Sequence, residues 1–501
     1  MKTKIQASYV IGFQNQDHVI FKNGEVVYED DRILFVGHNY PDPVDQVMDA
    51  GNAIVAPGFI DLNALGDIDH DLIHLEAPPK IQKNLLWSEE YYLKGPHEVM
   101  TAEEEAFKSL YAYTQLILHG ITTAMPITSV FYKKCAETYE ELEAAAHHAG
   151  KLGLRIYLGP SYQCGARVVK PDGTIEVYWN EEEGKKGLKR AVDFVKNFDG
   201  AYGGLVRGML APERIETQTP AVLQESKRYS DELGCPIRLH AAQGALEYGW
   251  IRRQYGKTPV HFLSDLGFLG ERTSIPHATY ITGYSDVYDH PVSDDLALLG
   301  SSKTTVIHCP LIIGRHGNAL EDFARYARAG VNLALGTDTF PPDMFQNIRL
   351  GSTMAKNQSK SPVGCSYADF YRAATLGAAK ALGREDLGRL APGAKADMII
   401  IDFSGLHFGV VDDPLRTLII SARGSDVKTT IIDGKIVMQD RKIEGIDFDW
   451  LQQKGQVYYE KMRLGYCERD YQHLPKDELF PSSFQLIEHS PEKELLQNPE
   501  K

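Results

Sequence analysis

Four polar residues end apolar, strand-like runs at similar intervals. His240 closes "CPIRLH", His277 closes "TSIPH", His308 closes "KTTVIH", and Asp338 follows "LALGT". The steps between them are 37, 31 and 30 residues. A (β/α)₈ barrel of about 250 residues repeats every ~31 residues and builds its active site at the C-terminal ends of its strands. Any one of these histidines would suit a packed or capping position, but four in register argue for a shared site. Imidazole nitrogen and carboxylate oxygen are donors that Zn²⁺, Fe²⁺, Co²⁺ or Mn²⁺ accept. A water held there loses a proton near neutral pH and attacks a polarised carbonyl or imine carbon. An aspartate beside it takes that proton.

The elements that must position these residues alternate along the middle of the chain. Apolar β-runs such as "AIVAPGFIDL", "GITTAMPI", "LRIYLGP", "PIRLHAA", "TTVIHCPLI" and "VNLALGTDT" are separated by helical stretches. One of these, "TAEEEAFKSLYAYTQLILHG", opens with Thr101 and carries Glu104 three residues on, a capping-box pattern. Such alternation predicts an α/β fold, a TIM barrel over residues 57–389. A doubly wound sheet ranks second, because no glycine-rich dinucleotide loop follows a strand. Both ends read as short strands. Asn23-Gly24 and Asp433-Gly434 carry hairpin signals. Residues 1–56 and 390–445 are therefore expected to build one small composite β-sandwich. Residues 446–501 read as a helix-like run followed by a polar tail, and the tail is expected to pack loosely or on a neighbouring molecule.

The bulk numbers narrow the class. The chain has 501 residues, 43% hydrophobic and 24% charged, as in a globular enzyme. No run approaches the roughly 18 apolar residues of a membrane span, and the first residues lack the apolar core of a signal peptide. The net charge of −15 argues against a nucleic-acid or anionic-membrane surface. Six scattered cysteines (Cys135, Cys164, Cys235, Cys309, Cys365 and Cys467) fit reduced thiols in a cytoplasm.

Several stretches together resemble a known family. "APGFID" before a barrel strand, "HCP" on a later strand, "GTDT…DMFQNIRLG" and "ATLGAAKALGREDLGRLAPGAKADMIIIDF" are similar to the amidohydrolase superfamily, in its chlorohydrolase and cytosine/guanine-deaminase-like branch. The resemblance covers the chain to about residue 440. It implies a distorted (β/α)₈ barrel, a composite β-sandwich and one divalent metal ion, zinc first, with iron, cobalt or manganese as alternatives. It implies that His240 is the strand-5 metal ligand, and that His277 is the strand-6 histidine contacting metal, substrate or water. Asp338 becomes the strand-8 ligand and proton acceptor. His308 and Cys309 fit the "HCP" strand, which in the family usually lines the site without binding metal. Arg315 fits the arginine that follows it.

The departures from the family pattern are as informative. In "PGFIDLNALGDIDHD", Asn63 and Leu65 stand where the branch carries strand-1 histidines. Asparagine can offer a carbonyl oxygen; leucine offers nothing. Relatives resembling molinate and phenylurea hydrolases keep Asn-x-His, so Asn63 is retained as a candidate ligand. His70, with Asp67, Asp69 and His74, lies on a loop that either faces water or folds back into the site. In "HAAQ", Gln243 replaces the glutamate that moves a proton onto a ring nitrogen in deaminases; an amide cannot shuttle that proton. Glu247, one helical turn on, is a weak substitute. In "APERIETQTP", Glu213 falls where the branch has a histidine, with Arg214 beside it, so a purine or triazine is not the expected substrate. Ile312 and Ile313 make the wall after "HCP" apolar. "SYQCGAR" brings Arg167, a candidate carboxylate clamp, to the end of a third strand; Cys164 there is expected to be buried and inert.

These residues predict a metal-dependent hydrolase of a small-molecule C–N bond in an amide, urea or carbamate-like group. Asp338 and His277 are the catalytic candidates, and His240, His277, Asp338 and Asn63 the metal ligands. Gln243, Glu213, His308, Arg167, Arg315 and His70 are the substrate-binding candidates. A heteroaromatic deaminase or dechlorinase is the first alternative. A binding protein that lost its metal is the second. Family analogy adds a homo-oligomer.

Overall fold

The computed structural model describes residues 1–78, 80–95, 99–127, 136–287, 294–485 and 487. Eight parallel strands form the barrel. They are β1 (Phe59–Leu65), β2 (Ile121–Ile127), β3 (Arg155–Leu158), β4 (Val206–Gly208), β5 (Ile237–Arg238), β6 (Thr273–Pro276), β7 (Thr305–His308) and β8 (Asn332–Leu335). They lie in two four-stranded arcs, β4-β3-β2-β1 and β5-β6-β7-β8. Leu210 joins the arcs on one side: its N–H donates to Pro236 O at 2.9 Å, and its carbonyl accepts from Arg238 N at 3.0 Å. On the other side Asp338 N–H donates to Asn63 O at 2.8 Å. All seven residues of β1 are buried, as befits a strand with the barrel interior on one face and helices on the other. The helix Ala102–Leu118 that returns from β1 starts on the expected capping box of Thr101 and Glu104.

Both chain ends build one eight-stranded sheet, from Lys2–Gln14, Asp17–Glu29, Arg32–Gly37, Gln46–Asp49, Ala53–Pro57, Met398–Asp402, Val427–Ile432 and Lys435–Gln439. Ala53–Pro57 pairs antiparallel with Met398–Asp402, so the segments that enter and leave the barrel lie side by side. Asp433-Gly434 turns as expected, both residues having positive φ (53° and 74°). The Asn23-Gly24 expectation is corrected. The strand Asp17–Glu29 runs through it, and the hairpin turns at Asn15-Gln16 instead, with φ of 51° and 64°. At Gly24 a Cβ would lie 2.8 Å from Phe21 Cβ and 3.0 Å from Val10, so close packing inside the strand is what requires glycine there.

The helix-like run of the C-terminal segment is the helix Phe448–Arg469. Its Leu451, Met462 and Tyr466 are buried with Ile68, Ile73, Leu85 and Phe107, and the short helix Lys476–Leu479 adds Leu479. Buried Asp470 fixes the exit by accepting from Asn84 Nδ2 at 2.6 Å and Leu474 N at 2.7 Å. Residues 486 and 488–501 of the tail, and Cys135, lie outside the described residues.

A buried arginine ties the barrel to the terminal sheet. Arg155, at the start of β3, donates from Nε and Nη2 to Asp397 at 2.9 and 3.1 Å and from Nη2 to Asp433 at 3.0 Å. Removing one partner of such a pair strands the other charge in low dielectric. Arg155→Met is expected to lower unfolding free energy by about 3–5 kcal/mol, read as a fall in denaturant midpoint. A loss below about 1 kcal/mol, the value of an exposed pair, would show that the junction does not depend on this charge.

Candidate active site

A cavity of about 550 Å³ opens at the C-terminal ends of the barrel strands. His240, His277 and Asp338 lie together at its floor. His277 Nε2 is 3.3 Å from Asp338 Oδ2, and the rings of His240 and His277 are 5.6 Å apart. His240 Nδ1 is 3.1 Å from Glu213 O, which sets Nδ1 as the donor and turns Nε2 to the site. Neither ring nitrogen of His277 has a hydrogen-bond partner among the described residues. His277 and Asp338 sit at positive φ (68° and 51°), backbone strain of the kind that collects at functional sites. Burial pushes the Asp338 carboxyl up to about 7, opposed by Arg214, His70 and Arg238. Burial and Arg214 hold His277 down at about 3, and His240 lies well below its ordinary range for the same reasons.

Asn63 lies beneath this cluster. Its Nδ2 points at Cys309 Sγ, 3.8 Å away, and its buried Oδ1 has no partner among the described residues. Leu65 lines the cavity. The Sγ of Cys309 and ligand atoms of His277 and Asp338 all lie within 4.8 Å of one another.

Above the floor, Gln243 accepts from Arg214 Nη1, and Arg214 Nε is 3.0 Å from Glu213 Oε1. Arg167 faces Glu216 at 3.6 Å. Both oxygens of Glu247 accept backbone amides, from Ala242 at 2.5 Å and Gln243 at 2.8 Å. Glu247 therefore braces the loop that carries Gln243.

A family model described as "Amidohydrolase family" matches residues 54–437. The chain belongs to the amidohydrolase family. Among curated relatives, a 5'-deoxyadenosine deaminase of Methanosarcina acetivorans is 29% identical over 449 residues, covering 88% of this chain and 94% of the relative. A 5-methylthioadenosine/S-adenosylhomocysteine deaminase of Thermococcus onnurineus is 28% identical over 455 residues, covering 88% and 95%. Among solved structures, an adenosine deaminase from Xanthomonas campestris with bound zinc superposes with a TM-score of 0.75 at 20% identity, covering 92% and 98%. Atrazine chlorohydrolase from Arthrobacter aurescens complexed with zinc gives 0.71 at 18%, covering 91% and 100%. This amidohydrolase is an enzyme, a hydrolase acting on carbon–nitrogen bonds other than peptide bonds.

The residues of this amidohydrolase fit a divalent cation. His277 Nε2 lies 3.3 Å from Asp338 Oδ2, ligand atoms of these two residues cluster within 4.8 Å, His240 keeps Nε2 unbonded to Glu213, and the buried Oδ1 of Asn63 has no partner among the described residues. Buried polar atoms without partners mark a place where a partner belongs, and the nitrogen and oxygen donors suit zinc.

The β1 loop folds back into the site instead of facing water. His70 lines the cavity, with Nδ1 3.5 Å from buried Asp67, which also lies 3.7 Å from Lys108. His74 lines it as well, 3.3 Å from the hydroxyl of Tyr466 on the C-terminal helix. Ile312 and Ile313 supply the apolar wall. Two expected contacts fall elsewhere. His308 is buried against the rings of Phe323 and Phe370, outside the cavity lining. Arg315 stands behind the wall, binding Phe340 O at 2.9 Å and Asp71 Oδ2 at 3.4 Å. Cys164 is buried beside Gln218, and burial pushes its thiol up, so it is no nucleophile.

Sequence reasoning missed Arg238, His316 and Tyr466. Arg238 is the most consequential. It is two residues before His240 and so shares its inward face, and a charge inside an apolar strand was the available signal. Its guanidinium donates to Met125 O at 2.6 Å, Pro126 O at 3.0 Å and Leu62 O at 3.3 Å.

Glu247 has a measurable signature. Burial and the neighbouring Glu216 push its carboxyl up to about 8 from an ordinary 4.5. The folded state then binds the extra proton. Its contribution to stability is complete below about 4.5 and is lost as pH rises through about 8. Thermal midpoints should fall across that window, and Glu247→Gln should flatten the fall. An unchanged slope would mean that Glu247 is ionised in the fold.

Proposed function

We propose that the protein hydrolyses the C–N bond of a small-molecule amide, urea or carbamate-like group, with Asp338 carrying the proton. The observation that carries this reading is the fate of the strand-5 position. Gln243 is an amide bound to Arg214 and carries no proton for a ring nitrogen, and Glu247 is held against the backbone amides of Ala242 and Gln243. Asp338, against His277, is the carboxyl at the floor. Hydrolysis of a carbonyl compound needs one such group, which takes the water's proton and returns it to the leaving nitrogen.

His277 and Asp338, whose ligand atoms lie within 4.8 Å of one another, would hold the metal, and His240, its ring 5.6 Å from that of His277, would face the substrate through Nε2. When bound, the metal lowers the pKa of a water and polarises the scissile carbonyl. Burial holds His277 neutral, and it serves either as a ligand or, through a ring N–H, as donor to the developing oxyanion. Arg214, packed over the floor and bonded to Gln243 and Glu213, adds positive potential where negative charge develops. Leu65, Ile312 and Ile313 add apolar surface to the cavity lining. Zinc is the proposed metal, supported by the donor set and by the zinc in the solved relatives. The described free cysteines suit a cytoplasmic setting, and no described helix is long and apolar enough to cross a membrane.

Deamination of an adenosine-like ring is the second reading. It is favoured by the names of the relatives and by Glu213, a buried carboxyl on the cavity wall whose pKa burial raises. In this reading Glu213 supplies the ring proton.

N-substituted amides, ureas and carbamates should release their amines, and 5'-deoxyadenosine should release no ammonia. The reverse result selects the second reading. Asp338→Asn should lower kcat/KM by roughly 10²–10⁴-fold with an unchanged far-ultraviolet circular dichroism spectrum. Retention of most activity would exclude Asp338 as proton carrier. Gln243→Glu restores a carboxyl at the strand-5 position. Ammonia release from 5'-deoxyadenosine in that variant alone would show that the missing acid is what blocks ring chemistry.

A further inference from the structure

Two family ligand positions on β1 hold Asn63 and Leu65, so a cation at the floor needs donors from elsewhere. The nearest unused one is on β7. Cys309 is fully buried, faces the barrel interior, and touches only weak partners: Asn63 Nδ2 at 3.8 Å and Ile307 O at 3.9 Å. Its Sγ lies in one cluster with His277 and Asp338 ligand atoms, all within 4.8 Å. A second observation points to a ligand at the same place: His277, 1% exposed, has no hydrogen-bond partner on Nδ1 among the described residues, and its Nε2 meets Asp338 Oδ2 at 3.3 Å without a well-formed hydrogen bond.

We propose that Cys309 is a thiolate ligand of the metal, replacing the donors lost from β1 and giving a His277–Cys309–Asp338 site. The proposal rests on the metal-dependent reading above. Three protein donors and one open position is the arrangement of a catalytic zinc centre, and a thiolate shifts the preference from manganese or magnesium towards zinc and cobalt. Charge supports it. Arg238, buried and donating to three carbonyls, brings a fixed positive charge to the barrel heart. A divalent cation nearby calls for more anionic charge than Asp338 supplies, and a thiolate adds it. On binding, the Cys309 S–H bond breaks, the proton leaves to solvent, and the sulfur lone pair forms the new bond.

The test is cobalt(II) titrated into demetallated full-length protein and followed by absorption. Visible ligand-field bands report that cobalt binds. A near-ultraviolet thiolate-to-cobalt charge-transfer band reports that sulfur binds it. Both are expected, and Cys309→Ser should lose the charge-transfer band while Cys164→Ser keeps it. Ligand-field bands without the charge-transfer band in the wild-type protein would overturn the Cys309 assignment and leave the metal reading standing. A charge-transfer band that survives in Cys309→Ser would also overturn it. No cobalt bound at all would overturn both. The wild-type spectrum decides even if the serine variant does not fold.

Discussion

The seam where β1 meets β8 is the constraint on which the site depends. Buried Asp61 accepts Thr337 N–H at 3.0 Å, Thr337 Oγ1–H at 2.5 Å and Asn63 N–H at 3.1 Å. Asn63 O then accepts the N–H of Asp338. Gly336 makes the approach feasible, since a Cβ there would lie 2.6 Å from Asn63 Cβ. These contacts close the barrel and hold Asp338 in its left-handed backbone conformation, facing His277. They use the side chain of Asp61 and the backbone of residue 63. The side chain at 63 carries none of the closure. That separation of duties explains how β1 can hold asparagine and leucine while β8 still delivers its aspartate to the same place.

Arg238 is the second consequence of an irregular first strand. The β1–β2 ladder pairs Asp61 with Ala124 and Ala64 with Pro126, and its register shifts between them. The carbonyls of Leu62 and Met125 fall in the shift, where unbonded buried carbonyls cost free energy. The guanidinium of Arg238 reaches across the barrel and satisfies both. Burial pulls its pKa down to about 10, so it remains a cation at neutral pH. The floor thus holds a permanent charge in low dielectric, and the acids around it form a balanced set.

The strand-end spacing was enough to place His240, His277 and Asp338 at the ends of β5, β6 and β8, because a (β/α)₈ repeat fixes both the interval and the end at which side chains converge. Spacing did not say which face a residue takes at the last position of a strand. His308 ends β7 on the helix side among Phe323 and Phe370, while Cys309, one residue on, turns inward. A single-residue difference exchanges the faces. The misjudged hairpin has a related cause: Asn-Gly is a turn signal only where the chain must reverse, and at Asn23-Gly24 the same pair serves tight packing within a strand. Tyr466 had no local signal, since it reaches His74 across a separation of 392 residues.

The walls of the cavity constrain chemistry as much as its floor. Arg214 is shared between Gln243 and Glu213, and Arg167 faces Glu216, so each described cation on this wall has an acidic or amide neighbour. A substrate carboxylate would have to displace Glu213 or Glu216 to reach a guanidinium, at the cost of stranding a buried acid. A neutral, polar group fits this wall better, since it can join the existing hydrogen bonds without adding charge. Leu65, Ile312 and Ile313 add apolar contact to the lining. Tyr466 from the C-terminal helix and His74 from the β1 loop both line the cavity and meet each other at 3.3 Å. The loop that replaced the usual β1 chemistry is therefore anchored by a helix outside the barrel. A change in either segment alters the site's reach without touching the strands that hold its reactive groups.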